Sequence, residues 1–202
     1  MKRLMIGFGL ALTVFPALAH HPMGGVTPAT FGDGLLSGLG HPVIGLDHFA
    51  AVVAVGCLAA AHRSATRLVI GFMLAMMAGV ALHLYGPPVP GAEIVVALSV
   101  FGLGVLMLTR RTMTSAAALI VFAAVGLLHG YVLGESIYGA EATPLAAYLL
   151  GLAVVQGAIA LGAMHLARLW AQRAPDQMAL RLAGAGIAGI GFALFVQQVS
   201  GA

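Results

Sequence analysis

The chain has 202 residues, of which 61% are hydrophobic and only 7% carry a charged side chain. A soluble domain needs roughly a quarter of its residues charged, so this composition excludes an ordinary soluble enzyme or binding module and predicts a single integral-membrane domain. The net charge of +3 does not predict nucleic-acid binding, because the basic residues lie at the ends of apolar segments without interleaved aromatic residues. Cys57 is the only cysteine, which excludes an intrachain disulfide and a thiol-rich zinc site.

The first 19 residues are typical of an export signal. A basic start, an apolar stretch and a small-x-small motif ending at Ala19 follow one another in the order that signal peptidase substrates have. The alternative is an uncleaved first span, but the apolar stretch is short for one. We therefore predict a signal peptide over residues 1–19 and a mature membrane domain over residues 20–202, with His20 at the new N-terminus.

Six further apolar segments are each long enough to cross a hydrocarbon core of about 30 Å. The connections between them are short, so consecutive helices are predicted to run antiparallel. The fold class is therefore all-α, a polytopic membrane helical bundle. The predicted spans are residues 43–61, 67–84, 93–109, 115–133, 145–166 and 182–199.

The basic residues predict the orientation of these spans. If the mature N-terminus is outside, all nine Lys and Arg residues fall on the cytoplasmic side, as the positive-inside rule requires. We predict a bacterial inner-membrane protein with both mature termini in the periplasm. The nine residues are Lys2, Arg3, Arg63, Arg67, Arg110, Arg111, Arg168, Arg173 and Arg181.

Small residues recur every fourth position on the fourth and sixth predicted spans. Such ridges let helix backbones approach closely in lipid, where hydrophobicity no longer drives association. Helix packing is the role that we predict for them. The ridges are Gly126–Gly130–Gly134, Gly184–Ala188 and Ala185–Gly189.

Histidine and acidic residues gather near the predicted outer ends of the spans. A carboxylate at the centre of a span costs about 2.5–3.5 kcal/mol on insertion scales, and less toward the interface. These groups need partners, and the predicted orientation leaves no Lys or Arg on this side. The remaining partners are other histidines, protons, water or a cation. The outer cluster comprises His41, Asp47, His48, Glu93, His129 and Glu135.

The residue types in the outer cluster favour a transition metal. Imidazoles and carboxylates without thiolate suit a divalent first-row cation such as nickel, cobalt, copper or zinc, whereas magnesium prefers all-oxygen ligands. His41 and His48 are seven positions apart, so a helix that begins early places them on one face, with Asp47 about 100° away. An Asp and a His that are adjacent inside a span favour a functional role.

Other polar residues at the ends of the spans have simpler interpretations. A single histidine at a span end is typical of the membrane interface, and we interpret His62, His83 and His165 in this way. Glu141 is interpreted as a loop charge. Glu93 keeps two interpretations: it is a helix N-terminal carboxylate stabilised by the helix dipole, or it belongs to the cation site.

The segment from Phe31 to His48 contains the pattern His-Pro-x-x-Gly-x-Asp-His. This pattern resembles the hallmark of the HupE/UreJ family of nickel and cobalt permeases. The Pro-Gly-Ala-Glu run ending at Glu93 and the run from His129 to Glu135 are similar to later family motifs. The signal peptide and six spans also match, so the resemblance covers the whole chain.

The resemblance implies uptake of Ni²⁺ or Co²⁺ for hydrogenase, urease or cobalamin enzymes, without a permanent cofactor. It implies metal-binding roles for the whole outer cluster. Two positions depart from the family pattern. Val132 and Leu133 stand where the fourth-span motif is often richer in histidine, and Gln156 stands where a His is common. The resemblance therefore implies a transporter without fixing the identity of the metal.

The transport hypothesis is that a periplasmic cation sheds water at the outer cluster and then moves inward past Gln156. His20 and His21, helped by Met23, would capture the cation before it reaches the outer cluster. Since no P-loop pattern is present, a gradient, intracellular trapping or a partner would supply the energy. An accessory protein of a metalloenzyme maturation system, binding metal without flux, is the alternative. A proton channel and a zinc hydrolase are further alternatives. No nucleophile motif supports a hydrolase, so we predict that the protein is not an enzyme.

Overall fold

The computed structural model describes residues 26–109, 111–173 and 177–200. The predicted signal peptide and the predicted capture residues His20, His21 and Met23 lie outside these ranges. Within them the chain forms seven α-helices and one 3₁₀ turn. They are α1 Phe31–Ile44, α2 Leu46–Ala59, α3 Ala65–Tyr85, α4 Ala92–Thr109, α5 Ser115–Leu133, the 3₁₀ turn Gly134–Ile137, α6 Ala142–Arg173 and α7 Met178–Ser200.

The helices form a polytopic membrane bundle, as the sequence predicts. Helices α3 to α7 are long and apolar enough to cross a membrane, and α1 and α2 together count as a sixth span if the bent pair crosses as one. Helix α6 is longer than its predicted span, with 32 residues. At 1.5 Å per residue it measures roughly 48 Å, so it extends well beyond the hydrocarbon core.

Helix α1 begins well before the first predicted span, because a capping box fixes its start. The Thr30 hydroxyl accepts a hydrogen bond from the Asp33 backbone N–H, and the Asp33 carboxylate accepts one from the Thr30 backbone N–H. These bonds satisfy two backbone groups that a helix N-terminus leaves without intrahelical partners. Thr30 and Asp33 are therefore the residues that fix the start of α1.

The prediction of one continuous first span over residues 43–61 is wrong. The chain breaks at Gly45, whose extended backbone (φ −72°, ψ 102°) separates α1 from α2, and the two helices meet at a bend of 76°. Pro42 lies inside the last turn of α1 and lacks the N–H that a continuous helix needs. His41 and His48 therefore lie on different helices, and the predicted shared face of one helix does not exist.

Three helix pairs pack through glycines, which carry no side chain to hold the backbones apart. A Cβ added at Gly126 or Gly130 of α5 would overlap the backbone of α3, so that ridge has the packing role predicted for it. Gly184 of α7 packs in the same way against α4, and Gly38 of α1 against α6. The second predicted ridge on α7 does not pack within the chain, because a Cβ at Gly189 meets nothing within 4 Å.

Replacing Gly130 with alanine should destabilise the α3–α5 pair. The new methyl group would overlap backbone atoms of Met76, which cannot rotate away, and overpacking of this kind costs about 1–3 kcal/mol. The matched control is Gly186→Ala on α7, where the added methyl group meets nothing within 4 Å. Thermal unfolding of the detergent-solubilised protein should show a lower midpoint for the first variant only; equal midpoints would contradict the packing argument.

Candidate cation-binding site

The bend at Gly45 brings three histidines together inside the bundle. His41 lies in the last turn of α1, His48 lies in the first turn of α2 and His129 lies near the end of α5. All three are buried, with 4%, 2% and 0% of their surface exposed. The ring centroids of His41 and His48 are 5.6 Å apart, and those of His48 and His129 are 5.1 Å apart. We call these three side chains the histidine row.

The histidine row forms one hydrogen-bond chain with Ser99. The Ser99 hydroxyl donates to the Val96 carbonyl oxygen at 2.7 Å and lies 2.9 Å from His129 Nε2. On the other side of the same ring, His129 Nδ1 lies 2.9 Å from His48 Nδ1. A neutral imidazole carries one N–H and one acceptor nitrogen, so one proton joins His48 and His129, and its position depends on the tautomer of each ring.

The other ring nitrogen of His48 faces Asp47. The Asp47 Oδ2 atom lies 3.8 Å from His48 Nε2, and Asp47 Oδ1 accepts a hydrogen bond from the His48 backbone N–H at 2.8 Å. A carboxylate beside an imidazole favours a positive charge there, either on the protonated ring or on a bound cation. The first turn of α2 thus places a nitrogen and a carboxylate oxygen in position to share a positive charge.

Hydroxyl groups hold the other end of the histidine row. His41 Nδ1 lies 3.0 Å from the Ser136 hydroxyl, which lies 3.0 Å from the Tyr148 hydroxyl. Tyr148 donates to the Leu133 carbonyl oxygen at 2.7 Å. This network fixes the imidazole of His41 through one nitrogen and so directs its other nitrogen to the opposite side of the ring. Metal-binding histidines are commonly oriented by such contacts to the second nitrogen.

Sequence reasoning missed these supporting hydroxyl groups. Ser99 is the one hydroxyl residue in the middle of α4, whose other residues there are apolar, and that isolation was the signal. Ser136 and Tyr148 gave no comparable signal, because both stand beside loops or near the end of a span. Their role depends on the 3₁₀ turn that follows α5 and brings Ser136 against α6.

The outer cluster divides into two places in the structure. His41, Asp47, His48 and His129 lie together, whereas Glu93 and Glu135 are exposed and line a cavity of about 400 Å³ at the same end of the bundle. In the part of the chain that the structure describes, no three His, Cys, Asp or Glu side chains are close enough to hold a metal ion as they stand.

His83 belongs to this outer cavity, although the sequence favoured a simple interfacial role for it. Its ring packs edge-on against Tyr131 at a centroid distance of 4.7 Å and against Tyr138 at 5.9 Å. Its Nδ1 atom is buried and has no hydrogen-bond partner among the described residues. His83 also lines the cavity with Glu93 and Glu135, so an imidazole and two carboxylates face one space.

The described charges are separated between the two ends of the bundle. The described acidic residues lie at the end that contains the histidine row and the outer cavity, where α2, α4 and α6 begin and α3, α5 and α7 end. The described arginines lie at the opposite end, so none of them neutralises Asp47. They are Arg63, Arg67, Arg111, Arg168, Arg173 and Arg181.

The sequence model of the family described as HupE / UreJ protein matches residues 8–194. The chain belongs to the HupE/UreJ family. Protein HupE of Rhizobium leguminosarum bv. viciae is 34% identical over 199 residues, which cover 97% of this chain and 100% of that protein. No solved structure gives a significant match. The resemblance drawn from the His-Pro-x-x-Gly-x-Asp-His pattern is thus confirmed, and in this HupE/UreJ chain the pattern spans the bend between α1 and α2.

Proposed function

We propose that this HupE/UreJ protein carries a divalent transition-metal cation, Ni²⁺ first and Co²⁺ next, from the periplasm to the cytoplasm across a bacterial inner membrane. The family is linked to nickel and cobalt transport or to nickel handling for hydrogenase and urease. The proposal also includes the orientation, with the acidic end of the bundle facing the periplasm and the arginines facing the cytoplasm. The client would be a metalloenzyme and its maturation system.

The observation that carries this proposal is a buried histidine row next to a carboxylate, at the end of the bundle that lacks every described arginine. Polar groups at this depth are costly and usually functional. Imidazole nitrogens with carboxylate oxygens are the ligands that nickel and cobalt accept. The same end of the bundle would attract a cation, since its charged groups are acidic.

Cation binding at the histidine row would replace a proton. The Nδ1 atoms of His48 and His129 are 2.9 Å apart. Two neighbouring ligand nitrogens of a square-planar Ni²⁺ ion, with metal–nitrogen bonds of about 2.0–2.1 Å, are also roughly 2.9 Å apart. Both imidazoles would have to turn so that their Nδ1 electron pairs point at the ion and not at one another. Proton release on binding would follow directly.

Two further features suggest a route. The outer cavity, lined by His83, Glu93 and Glu135, would collect hydrated cations before they reach the histidine row. Gln156 lies two helical turns beyond Tyr148 on α6 and is fully buried. Neither polar atom of its side chain has a hydrogen-bond partner among the described residues. An amide oxygen in that state is suited to hold a passing cation or its water.

Purified protein reconstituted into liposomes tests this function. We expect liposomes containing the protein to accumulate Ni²⁺ and Co²⁺ well above protein-free liposomes, and to discriminate against Mg²⁺. Binding of metal without accumulation would overturn the proposal in favour of an accessory protein. Proton flux in the absence of added metal would overturn it in favour of a proton channel.

Replacing Gln156 with leucine should stabilise the protein and slow transport. An unsatisfied buried polar group costs about 1–3 kcal/mol, so its removal should raise the midpoint of thermal unfolding, while loss of the amide oxygen should lower the Ni²⁺ flux. Gln197→Leu, the same change at a half-exposed site on α7, is the control. A Gln156→Leu protein with wild-type flux would rule out Gln156 as part of the route.

A further inference from the structure

A second cavity, of about 380 Å³, lies at the opposite end of the bundle from the histidine row. The last turns of α2, α4 and α6 and the start of α7 surround it. Its apolar wall includes Leu106, Met107 and Leu180, and its polar wall includes Arg111 and Arg168. None of the described lining residues is acidic. The cavity therefore combines positive charge with apolar surface.

The positive charges lie where an anion can reach them. Arg111 and Arg168 are exposed, and Arg168 is held at the cavity by donating its Nε–H to the Ala60 carbonyl oxygen at 3.4 Å. His62 also lines the cavity, with its Nδ1 atom 3.3 Å from the Ser115 hydroxyl. Guanidinium groups bind phosphate oxygens in a planar, two-point geometry. A phosphate group therefore fits the two arginines better than an uncharged apolar ligand does.

The surroundings of the cavity favour a phosphate that belongs to a lipid. Trp170 lies near Arg168 on the same end of α6 and is 38% exposed, and tryptophan in that position is typical of the membrane interface. The apolar wall would make no favourable contact with an inorganic anion, whereas it would pack against an acyl chain. A volume of about 380 Å³ is too small for a whole phospholipid, so only the headgroup and the first part of a chain would enter.

We propose that this cavity binds the headgroup of an anionic phospholipid, with the phosphate on Arg111 and Arg168 and the upper acyl chain against Leu106 and Leu180. Basic pockets between transmembrane helices are a general means of holding anionic lipids. The lipid would tie the ends of α2, α4, α6 and α7 together. The inference depends on the lining of the cavity and not on metal transport.

Native mass spectrometry of the full chain in detergent tests the proposal with phosphatidylglycerol and phosphatidylcholine of identical acyl chains. We expect preferential retention of phosphatidylglycerol. Each basic residue contributes about fivefold to the affinity for an anionic lipid, so Arg111→Gln with Arg168→Gln should weaken retention by about 25-fold. Arg67→Gln removes an exposed arginine outside the cavity and should leave retention unchanged.

Two results would overturn the proposal: equal retention of the two lipids by the wild-type protein, or displacement of phosphatidylglycerol by millimolar inorganic phosphate. The wild-type comparison needs no variant, so misfolding of the double glutamine variant cannot obscure it. The variant with Arg111→Lys and Arg168→Lys, which keeps both charges but loses the two-point guanidinium geometry, should retain phosphatidylglycerol more strongly than the double glutamine variant and less strongly than the wild-type protein. Metal flux is measured separately, so failure of the lipid site and failure of transport are distinguishable.

Discussion

Replacing His48 with alanine is expected to lower Ni²⁺ accumulation by roughly tenfold or more, because the His48 side chain contacts both His129 and Asp47. Losing a ligand usually costs more than the 10- to 100-fold that loss of a supporting contact costs. Asp47→Asn should also lower accumulation, since it keeps the shape of the side chain and removes its charge. The measurement is metal content of cells expressing each variant at low external nickel.

His165→Ala is the matched control, because His165 is an exposed histidine on α6 at the opposite end of the bundle from the histidine row. Its loss should leave accumulation at the wild-type level. If cells with His48→Ala and cells with Asp47→Asn both accumulate nickel like wild type, with equal amounts of protein in the membrane, the histidine row is not the cation site.

Replacing Gly45 with alanine is expected to lower nickel accumulation about tenfold through the geometry of the bend, on the scale of a lost supporting contact. A Cβ at this position would lie 2.9 Å from His48 Cδ2, 3.1 Å from Asp47 Oδ1 and 3.2 Å from the His41 carbonyl oxygen. The backbone angles of Gly45 are accessible to alanine, so the effect arises from crowding. Two measurements check this prediction: nickel flux into proteoliposomes and the midpoint of thermal unfolding of the same variant.

Gly102→Ala on α4 serves as the control for the Gly45 variant, because a Cβ there meets nothing within 4 Å. We expect wild-type flux and unfolding for this control. Wild-type flux in Gly45→Ala would show that the two helices adjust without disturbing the site. A large fall in the midpoint of thermal unfolding without any change in nickel flux would show that Gly45 serves folding alone.

The sequence motif and the structure place four of the predicted site residues near one another. His41, Asp47, His48 and His129 lie together, with distances of 2.9 Å and 3.8 Å joining His48 to its neighbours, and their role as metal ligands stays a prediction. The sequence indicated this cluster because the cost of placing such groups in a membrane is local and can be estimated residue by residue. The placement of Glu93 and Glu135 in a separate cavity did not follow from depth, because depth does not determine the direction in which a side chain points around a helix.

The first span shows why hydropathy alone does not predict the break at Gly45. A sliding sum of apolar residues does not register the backbone angles of one residue, so it predicts one helix across Gly45, although the extended backbone of Gly45 separates α1 from α2. The surroundings of His83 could not be predicted for a related reason. Its neighbours Tyr131 and Tyr138 come from α5 and the turn beyond it, so its place beside the outer cavity depends on how the helices pack.

The sequence by itself determined the class of the protein, the number of apolar segments and the separation of acidic from basic ends, because these depend on the solvation of short stretches of chain in lipid and water. Only the tertiary structure decided that the chain bends at Gly45, that His48 meets His129 across 81 positions, and that Ser99 and Ser136 hold the imidazoles. Those contacts join residues from different helices. Their distances follow from how glycine-lined helix surfaces pack, which no single segment specifies.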